Sequence, residues 1–508
     1  MKRIAVLDFG SQYSHLICRR IREFSVRADL VPYDTSAEDL VRDDTRGIIL
    51  SGGPASIYDS DAPSPDPKIF DLGLPILGIC YGHQIIVDRF GGSVKRANRE
   101  YGSSLLSVDE DGGLLSGIGG SVRAWMSHGD EAESIPAGFR VIGHTERSRA
   151  AAIADLDGRI HGIQFHPEVV HTQRGSDILQ NFAVGICGSE QDWTMEAFVD
   201  RTVNEIAQVK GRILCGVSGG IDSTVAALLI HKAVGDRLRC VFIDNGLLRH
   251  NEGEEIEEIF HRNFSEVRFS SILATDRFLE RLQGVTDPEI KRKVVGDEFV
   301  RIFTEFAKEN GPLSWLAQGT LYPDVIESGV SKGPADVIKS HHNVGGLPDW
   351  LNLKVLEPLR DLYKDEVREV ARILGVPQKI ITRHPFPGPG LAVRIIGEVT
   401  PAKLQTARAA SRIVEDVLRE DGIYEDVWQA YAAVGDDRAV GVVGDKRRYG
   451  SVVMVRVVNS IDAMTADWTR LPHSTLGKIS DRITNEIEDV TWVTYSISSK
   501  PPATIEPQ

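Results

Sequence analysis

The chain has no Cys-x-x-Cys pair and only five cysteines in 508 residues: Cys18, Cys80, Cys187, Cys215 and Cys240. So few, odd in number and unpaired, they fit reduced thiols and give no zinc signal. No apolar run reaches about 18 residues, which excludes a membrane-crossing helix legible from hydropathy. Met1-Lys-Arg-Ile-Ala-Val6 enters a strand pattern without a signal-peptide profile, so a cytoplasmic protein is expected. An excess of positive charge is also missing. Lys and Arg number 58 against 73 Asp and Glu, a net charge of -15, which argues against a nucleic-acid-binding surface spread over the whole chain. Nor does Gly-x4-Gly-Lys-Ser/Thr occur anywhere, which excludes a GTPase-like phosphate loop. What remains is an ordinary globular composition, 42% hydrophobic and 26% charged, in a chain long enough for roughly three domains.

The first third alternates strand and helix patterns. Ile4 to Asp8, Ile48 to Leu50 and Ile76 to Ile79 read as apolar strands, with a helix from Tyr13 to Phe24, the signature of a parallel sheet with helices on both faces. Ser51-Gly-Gly-Pro54 follows one strand. Gly78-Ile-Cys-Tyr-Gly-His-Gln84 follows another and opens a helix from Gln84 to Phe90. A Gly-x-nucleophile-x-Gly turn between strand and helix puts its middle side chain on a strained elbow, where the next backbone N–H can stabilise an oxyanion. The middle residue is Cys80, and a helix N-terminus favours its thiolate. Taken alone, Cys80 reads first as inert core packing.

Residues far downstream shift that balance. Ile160-His-Gly-Ile-Gln-Phe-His-Pro-Glu168 reads as a strand whose alternation places His166 and Glu168 on one face. A cysteine nucleophile needs a base, and the base needs an acid to orient it; His166 and Glu168 suit those roles. His161 and His171 are competing bases, read as surface or strand-edge histidines.

Ser51-Gly-Gly-Pro54, Gly78 to Gly82, Met126-Ser-His-Gly-Asp130 and Gln164 to Glu168 resemble the motifs of class I, triad-type glutamine amidotransferases. The resemblance implies that Cys80 attacks the glutamine side-chain amide, that His166 shuttles the proton and Glu168 orients it, and that the N–H groups of Gly53 and Tyr81 form the oxyanion hole. His83 stands where the nearest such domains usually carry methionine. Small polar residues near 188 to 195 mark a boundary, giving 1–190 as this first domain.

A second strand-to-helix turn follows. Ile213 to Val217 is an apolar run; Ser218-Gly-Gly220 permits a turn, and Ile221-Asp-Ser-Thr224 opens an alanine-rich helix whose positive end faces the turn. Such a turn suits phosphate, although it is also a common structural connection. Strand patterns at Leu238 to Ile243, Val267 to Ser271 and Leu313 to Ala317, with a long helix from Pro288 to Asn310, extend the alternation. The loops bearing Asp244 and Gly319 then fall at carboxyl ends of strands, where open parallel sheets bind ligands. Asp244 and Asn245 could instead simply cap the next helix.

Ser218-Gly-Gly-Ile-Asp-Ser223 with these partners resembles the PP-loop of ATP pyrophosphatases, which implies ATP contacts from Ser218 to Thr224, Asp244 and Gly319. A triad glutaminase fused in front of such a domain resembles the GMP synthase family. So do Phe242 to Arg249, Gly284 to Pro288, Leu316 to Ser328, Lys339 to Gly346 and His384-Pro-Phe-Pro-Gly-Pro-Gly390. The resemblance implies two doubly wound parallel-sheet domains followed by an α+β module: 1–190 the amidotransferase, 195–384 the ATP pyrophosphatase, 385–508 a dimerisation and XMP-binding domain. It implies glutamine, ATP and XMP as substrates, a homodimer through the C-terminal domain, and Mg2+ with ATP; from motif position Asp222 is the expected metal ligand. Ser331 to Leu347 is read as a lid with Lys339 near phosphate, or else a connector. In the last third, Thr400-Pro401 caps a helix to Glu420, Ala439 to Val443 and Ser451 to Val458 are strand-like, His473 to Glu486 is helical, and Trp492 to Ile497 is a final strand. Ser499-Lys-Pro-Pro-Ala-Thr-Ile-Glu506 matches the family's terminal motif, implying XMP contacts from Lys500 and Glu506, with Gln429 added; Pro507-Gln508 replaces the usual Trp-Glu.

Overall fold

The computed structural model describes residues 2–322, 353–443, 445–460 and 465–508. The chain divides into two compact units, Met1–Phe198 and Val199–Gln508. The boundary expected at residues 384 and 385 falls inside the second.

The first unit is built on a nine-stranded sheet, in the order β2-β1-β3-β4-β9-β8-β7-β5-β6. Strands β1 (Arg3–Asp8), β2 (Ala28–Pro32), β3 (Thr45–Leu50), β4 (Ile76–Ile79) and β9 (Ile160–Ile163) are parallel. Their residues are apolar on both faces because both faces are covered: Ile4 to Leu7 and Ile48 to Leu50 are fully buried. One face packs Ala5, Leu7, Ile48, Leu50 and Ile76 against Tyr81, Ile85 and Ile86 of the helix Tyr81–Arg89. Each fully buried Leu or Ile there contributes about 1.5–3 kcal/mol. The order 2-1-3-4 followed by β9 makes the β1/β3 edge a topological switch point, with the Ser51-Gly-Gly turn emerging beside it.

Beyond β9 the sheet turns antiparallel. Strands β8 (Ala152–Asp155), β7 (Phe139–His144), β5 (Ser93–Val108) and β6 (Ser121–Ser134) extend it, a feature the strand-and-helix alternation does not predict.

The second unit holds a five-stranded, wholly parallel sheet, β12-β11-β10-β13-β14, made of β10 (Ile213–Val217), β11 (Leu238–Asp244), β12 (Phe269–Leu273), β13 (Trp315–Ala317) and β14 (Lys354–Leu356). Because β11 lies on one side of β10 and β13 on the other, the loop after β10 opens at the switch point of a doubly wound sheet. The helix Pro288–Glu309 begins as expected: Asp287 accepts from the Ile290 N–H and Pro288 fills the first turn. Val267 to Ser271 is displaced, the strand running Phe269–Leu273 instead.

The same unit continues into an α+β module. Strands β15 (Gln429–Val443) and β16 (Lys446–Asn459) form a long antiparallel hairpin; β17 (Asp467–Trp468) pairs antiparallel and β18 (Val490–Tyr495) parallel with β16. The helix Pro401–Glu420, capped by Thr400, packs on β15 and on the helix His473–Glu486. One continuous apolar cluster runs from Leu214 and Val241 through Leu391, Ala407 and Ile413 to Val455 and Ile483, so the two sheets of this unit share a core. Among the described residues no helix is long and apolar enough to cross a membrane.

Candidate functional site

Cys80 closes β4 and precedes the helix Tyr81–Arg89, with φ 54° and ψ -102°, a conformation that L residues rarely hold. Its neighbours make the elbow sterically obligatory. A Cβ on Gly78 would fall 2.3 Å from the Gly82 carbonyl oxygen, and one on Gly82 would fall 2.3 Å from that of Leu50. The helix therefore starts at Tyr81, three residues before the expected Gln84. Its first-turn N–H groups, Tyr81 among them, have no intrahelical acceptor. The Ser51-Gly-Gly turn comes in beside the elbow: a Cβ on Gly52 would lie 3.6 Å from Cys80 Cβ and 3.1 Å from His166 Cε1.

His166 reaches Cys80 by a route other than the expected one. Strand β9 ends at Ile163, and Gln164 to Glu168 turn away from the sheet. The turn is pinned by Gln164 N–H to the Ala151 carbonyl (2.8 Å), His166 N–H to the Trp125 carbonyl (3.0 Å) and Thr172 Oγ1 to the His166 carbonyl (2.5 Å). Within it His166 Nδ1 meets Glu168 Oε1 at 2.7 Å, both side chains buried. Burial alone would lower the imidazole, but the Glu168 carboxylate and the interaction with Cys80 outweigh it and hold His166 well above its usual value of 6.5. Tyr13 packs edge-on against the His166 ring at 5.4 Å. His161 stays apart on β9, where burial pushes it down to about 4 beside Asp155 and Arg140. His171 stacks on Trp125 at 4.6 Å. Of the three histidines, the structure joins His166 to Cys80 and Glu168.

Strand β6 completes the surroundings of the thiol. Cys80 Sγ faces the Ser127 carbonyl at 3.5 Å and Gln164 Nε2 at 3.8 Å. Gln84 Nε2 donates to the Asp130 carbonyl (3.0 Å), which also lies 3.1 Å from His128 Nδ1. His128 Nε2 is in turn 3.3 Å from Glu100. The Met126 to Asp130 motif thus supplies carbonyl oxygens around the elbow. His83, fully buried, packs so closely on β9 that a Cβ on Gly162 would fall 2.3 Å from its Nδ1. Burial, then the nearby His128, pushes it down to about 3, so it is neutral and structural.

In the second unit Ser218 to Thr224 form a self-bonded loop. The Ser218 N–H donates to Ser223 Oγ (3.0 Å), the two serine hydroxyls are 3.0 Å apart, and Thr224 Oγ1 donates to the Gly220 carbonyl (2.9 Å). Gly219 sits at φ +80°, and a Cβ there would meet Ile256 Cδ1 at 2.0 Å. Gly319, after β13, packs on the start of the helix Ile221–Val234, where a Cβ would lie 3.2 Å from the Asp222 carbonyl carbon. Asp244, the last residue of β11, accepts from the Gly246 N–H (2.9 Å), and Asn245 from the Leu247 N–H (2.9 Å). The next helix begins at Glu252 with Asn251 at its N-cap, so neither residue caps it.

Asp222 is not free. Lys364 Nζ holds both its oxygens, at 2.7 and 2.5 Å. Lys364 is the first residue of the helix Lys364–Ile373, at the positive end of the helix dipole, an unfavourable place for a cation without a specific partner. That oddity is the sequence signal for a residue the motifs alone do not single out. Among the described residues no group of three His, Cys, Asp or Glu side chains could hold a metal, and the Asp222 carboxylate is paired with Lys364.

Further along, Glu506 is received by Arg394 (Nε 3.0 Å, Nη2 2.9 Å) and by Gln429 Nε2 (2.6 Å), which also donates to the Pro385 carbonyl (3.1 Å). Burial disfavours the Arg394 charge, yet Glu506 outweighs it and holds the guanidinium above its usual value. Gln429 and Glu506 therefore meet beside the Pro385 to Gly390 loop. Lys500 forms a backbone bridge with Ala466 instead (2.7 and 3.1 Å). Lys339 lies outside the described residues.

Comparison with known proteins accords with this arrangement. Residues 5–186 match the glutamine amidotransferase class-I family, and residues 416–507 the GMP synthase C terminal domain. The chain is 50% identical over 507 residues to the glutamine-hydrolyzing GMP synthase of Symbiobacterium thermophilum, covering 99% of this chain and 98% of that protein. It is 50% identical over 513 residues to that of Crocosphaera subtropica, covering 99% and 94%, and 48% identical over 506 residues to that of Natranaerobius thermophilus, covering 99% of each. With half its residues shared along nearly the whole length of these proteins, the chain belongs to the glutamine-hydrolysing GMP synthase family.

Proposed function

We propose that the protein makes GMP from XMP, using glutamine as nitrogen donor and ATP as activator. The observation that carries this reading is the pairing, in one chain, of a Cys80–His166–Glu168 arrangement with a serine- and glycine-lined loop at the switch point of a parallel sheet. His166 holds the proton taken from Cys80 while the resulting thiolate attacks the glutamine amide carbon; the N–H groups of Gly53 and Tyr81 receive the oxyanion. His166 then returns the proton to the departing ammonia, and water releases glutamate from the thioester.

In the second reaction the oxygen at position 2 of XMP attacks the α-phosphorus of ATP. Pyrophosphate leaves into the Ser218 to Thr224 loop, helped by the positive end of the helix Ile221–Val234. Ammonia attacks C2 of the adenylated purine, and AMP departs with the former oxygen. Adenylation is needed because an amide-like oxygen leaves poorly. Magnesium is read as arriving with ATP, as part of that substrate; Asp222 is the carboxylate that would face it, and Lys364 the cation that would face the phosphates. Gln429, Lys500, Glu506 and Lys339 are assigned to XMP, and Asp244 and Gly319 to ATP.

The hairpin β15–β16 exposes Val440, Val442 and Tyr449 on one face beside Trp492, which supports a homodimer through this module. A cytoplasmic setting is supported by five buried cysteines, none of them in a disulfide. Purified protein supplied with glutamine, magnesium-ATP and XMP should yield GMP, AMP and pyrophosphate in equal amounts. AMP release with no dependence on XMP, or dependence on a different acceptor, would overturn the assignment.

A further inference from the structure

Lys291 is a fully buried lysine on the helix Pro288–Glu309 that neither proposed reaction uses. An ammonium has three hydrogens to place, and burial makes each unplaced one costly. Here all three find oxygens: the Ile395 carbonyl at 2.6 Å, the Ala392 carbonyl at 3.3 Å and the Gln508 side-chain oxygen at 2.6 Å. The adjacent Arg292 donates to the Gln508 backbone oxygen at 2.6 Å. Ala392 and Ile395 flank Arg394, and Gln508 follows Glu506 by two residues. One ammonium therefore ties the backbone around Arg394 to the side chain two residues beyond Glu506.

The rest of the segment is tied down in parallel. Tyr431 and Arg456 donate to the Ile505 carbonyl (2.7 and 3.0 Å), and Arg456 also to that of Thr504 (2.7 Å). None of those hydrogen bonds reaches the backbone of residues 392–395, although the Tyr431 ring lies 4.4 Å from the Arg394 guanidinium. Lys291 is the group that joins that loop and the final residues through a single atom.

We infer that Lys291, acting through Gln508, is a positioning residue for the purine-nucleotide acceptor: it holds Glu506 and the Arg394 loop in the relation that lets Gln429 and Glu506 meet the purine. The inference rests on the reading of this site as the XMP site. It assigns Lys291 no contact with substrate.

The test is the initial rate of XMP-dependent AMP release at varied XMP and at varied ATP, for the wild type, Gln508→Ala, Gln508→Glu, Lys291→Met and the double variant Lys291→Met/Gln508→Ala. Losing one hydrogen bond to a buried charge predicts a KM for XMP raised roughly tenfold in Gln508→Ala, with the KM for ATP within about twofold of wild type. Gln508→Glu keeps an acceptor oxygen and should retain a wild-type KM. The double variant should be no worse than Lys291→Met alone, because the hydrogen bond lost with Gln508→Ala is one of the three already lost with Lys291→Met. Should Lys291→Met fail to fold, Gln508→Ala still decides the matter, since it leaves the buried helix intact. An unchanged KM for XMP in Gln508→Ala, equal rises for XMP and ATP, a KM in Gln508→Glu as high as in Gln508→Ala, or additive losses in the double variant would overturn the inference alone. A wild-type protein that releases no AMP in response to XMP would overturn the reading of the site, and the inference with it.

Discussion

Replacing Glu168 by glutamine removes one charge from the pair that makes His166 a base while leaving an oxygen to accept from Nδ1. The side chains of His166 and Glu168 are 4% and 1% exposed, so the contact behaves as a buried ion pair rather than a screened surface one. Breaking such a pair by removing one partner costs about 3–5 kcal/mol, and the retained hydrogen bond places this substitution near the lower end. If the loss is felt wholly in the transition state, about 3 kcal/mol corresponds to roughly a hundredfold in rate. The expected result for Glu168→Gln is a fall of that order in glutamate release, with GMP formation from added ammonium salts within about twofold of wild type. Stability should follow pH in a defined direction. Because the folded His166 titrates above its usual 6.5, its charge stabilises the fold fully below that value, and the contribution is lost as pH rises through the raised one. The melting-temperature gap between wild type and Glu168→Gln should thus be widest near pH 6 and close on the alkaline side. Glutamate release within threefold of wild type, or an equal loss in the ammonia-fed reaction, would show that the Glu168 charge does not set the strength of His166 as a base.

Three further outcomes follow from other contacts. Lys364→Met should abolish ATP-dependent AMP release while the protein remains folded by circular dichroism, since it removes the cation that faces Asp222 and the loop; AMP release at half the wild-type rate or more would dismiss the role. His83→Met should make the protein less acid-sensitive. His83 is held neutral down to about pH 3 in the fold, whereas the unfolded chain takes up its proton near 6.5, so stability present above 6.5 is lost as pH falls; denaturant titrations between pH 6.5 and 4 should show a flatter decline in the variant. Val442→Asp places a charge on the exposed apolar strip of the hairpin and should shift the proposed homodimer towards monomer in sedimentation velocity, a sedimentation coefficient equal to that of wild type telling against that surface.

Much of the first site was legible because its chemistry coincides with punctuation in the sequence. Gly78 and Gly82 around Cys80 mark a turn that only glycine fits, and the fold confirms why: a Cβ at either position would strike backbone. His166 and Glu168 meet by a geometry that strand alternation does not describe. Alternation along 160–168 suggested one strand face, but β9 ends at Ile163 and a turn held by distant carbonyls brings the two together. Such closure depends on Ala151 and Trp125, far away in sequence, and no local pattern encodes it. The antiparallel strands β5 to β8 were hidden for a related reason. They are partly solvated and interrupted by charges, as at Lys95 and Arg96, so they lack the continuous apolar run of a buried parallel strand. The hairpin β15–β16 extends beyond the strand patterns Ala439 to Val443 and Ser451 to Val458 because the charged Asp436-Asp437-Arg438 interrupts the apolar run, whereas pairing with β16 resumes at Arg438. Lys364, Arg394 and Lys291 matter through partners 142, 112 and 217 residues away, and only the folded chain shows them.

The central claim is that an oxygen of the acceptor itself displaces pyrophosphate at the α-phosphorus of ATP. Its most direct test is the reaction of XMP carrying oxygen-18 at position 2 with glutamine and magnesium-ATP, followed by mass spectrometry of the products. Adenylation predicts one oxygen-18 in the phosphate of AMP and none in pyrophosphate; label in inorganic phosphate or pyrophosphate, or AMP free of it while GMP accumulates, would contradict the account.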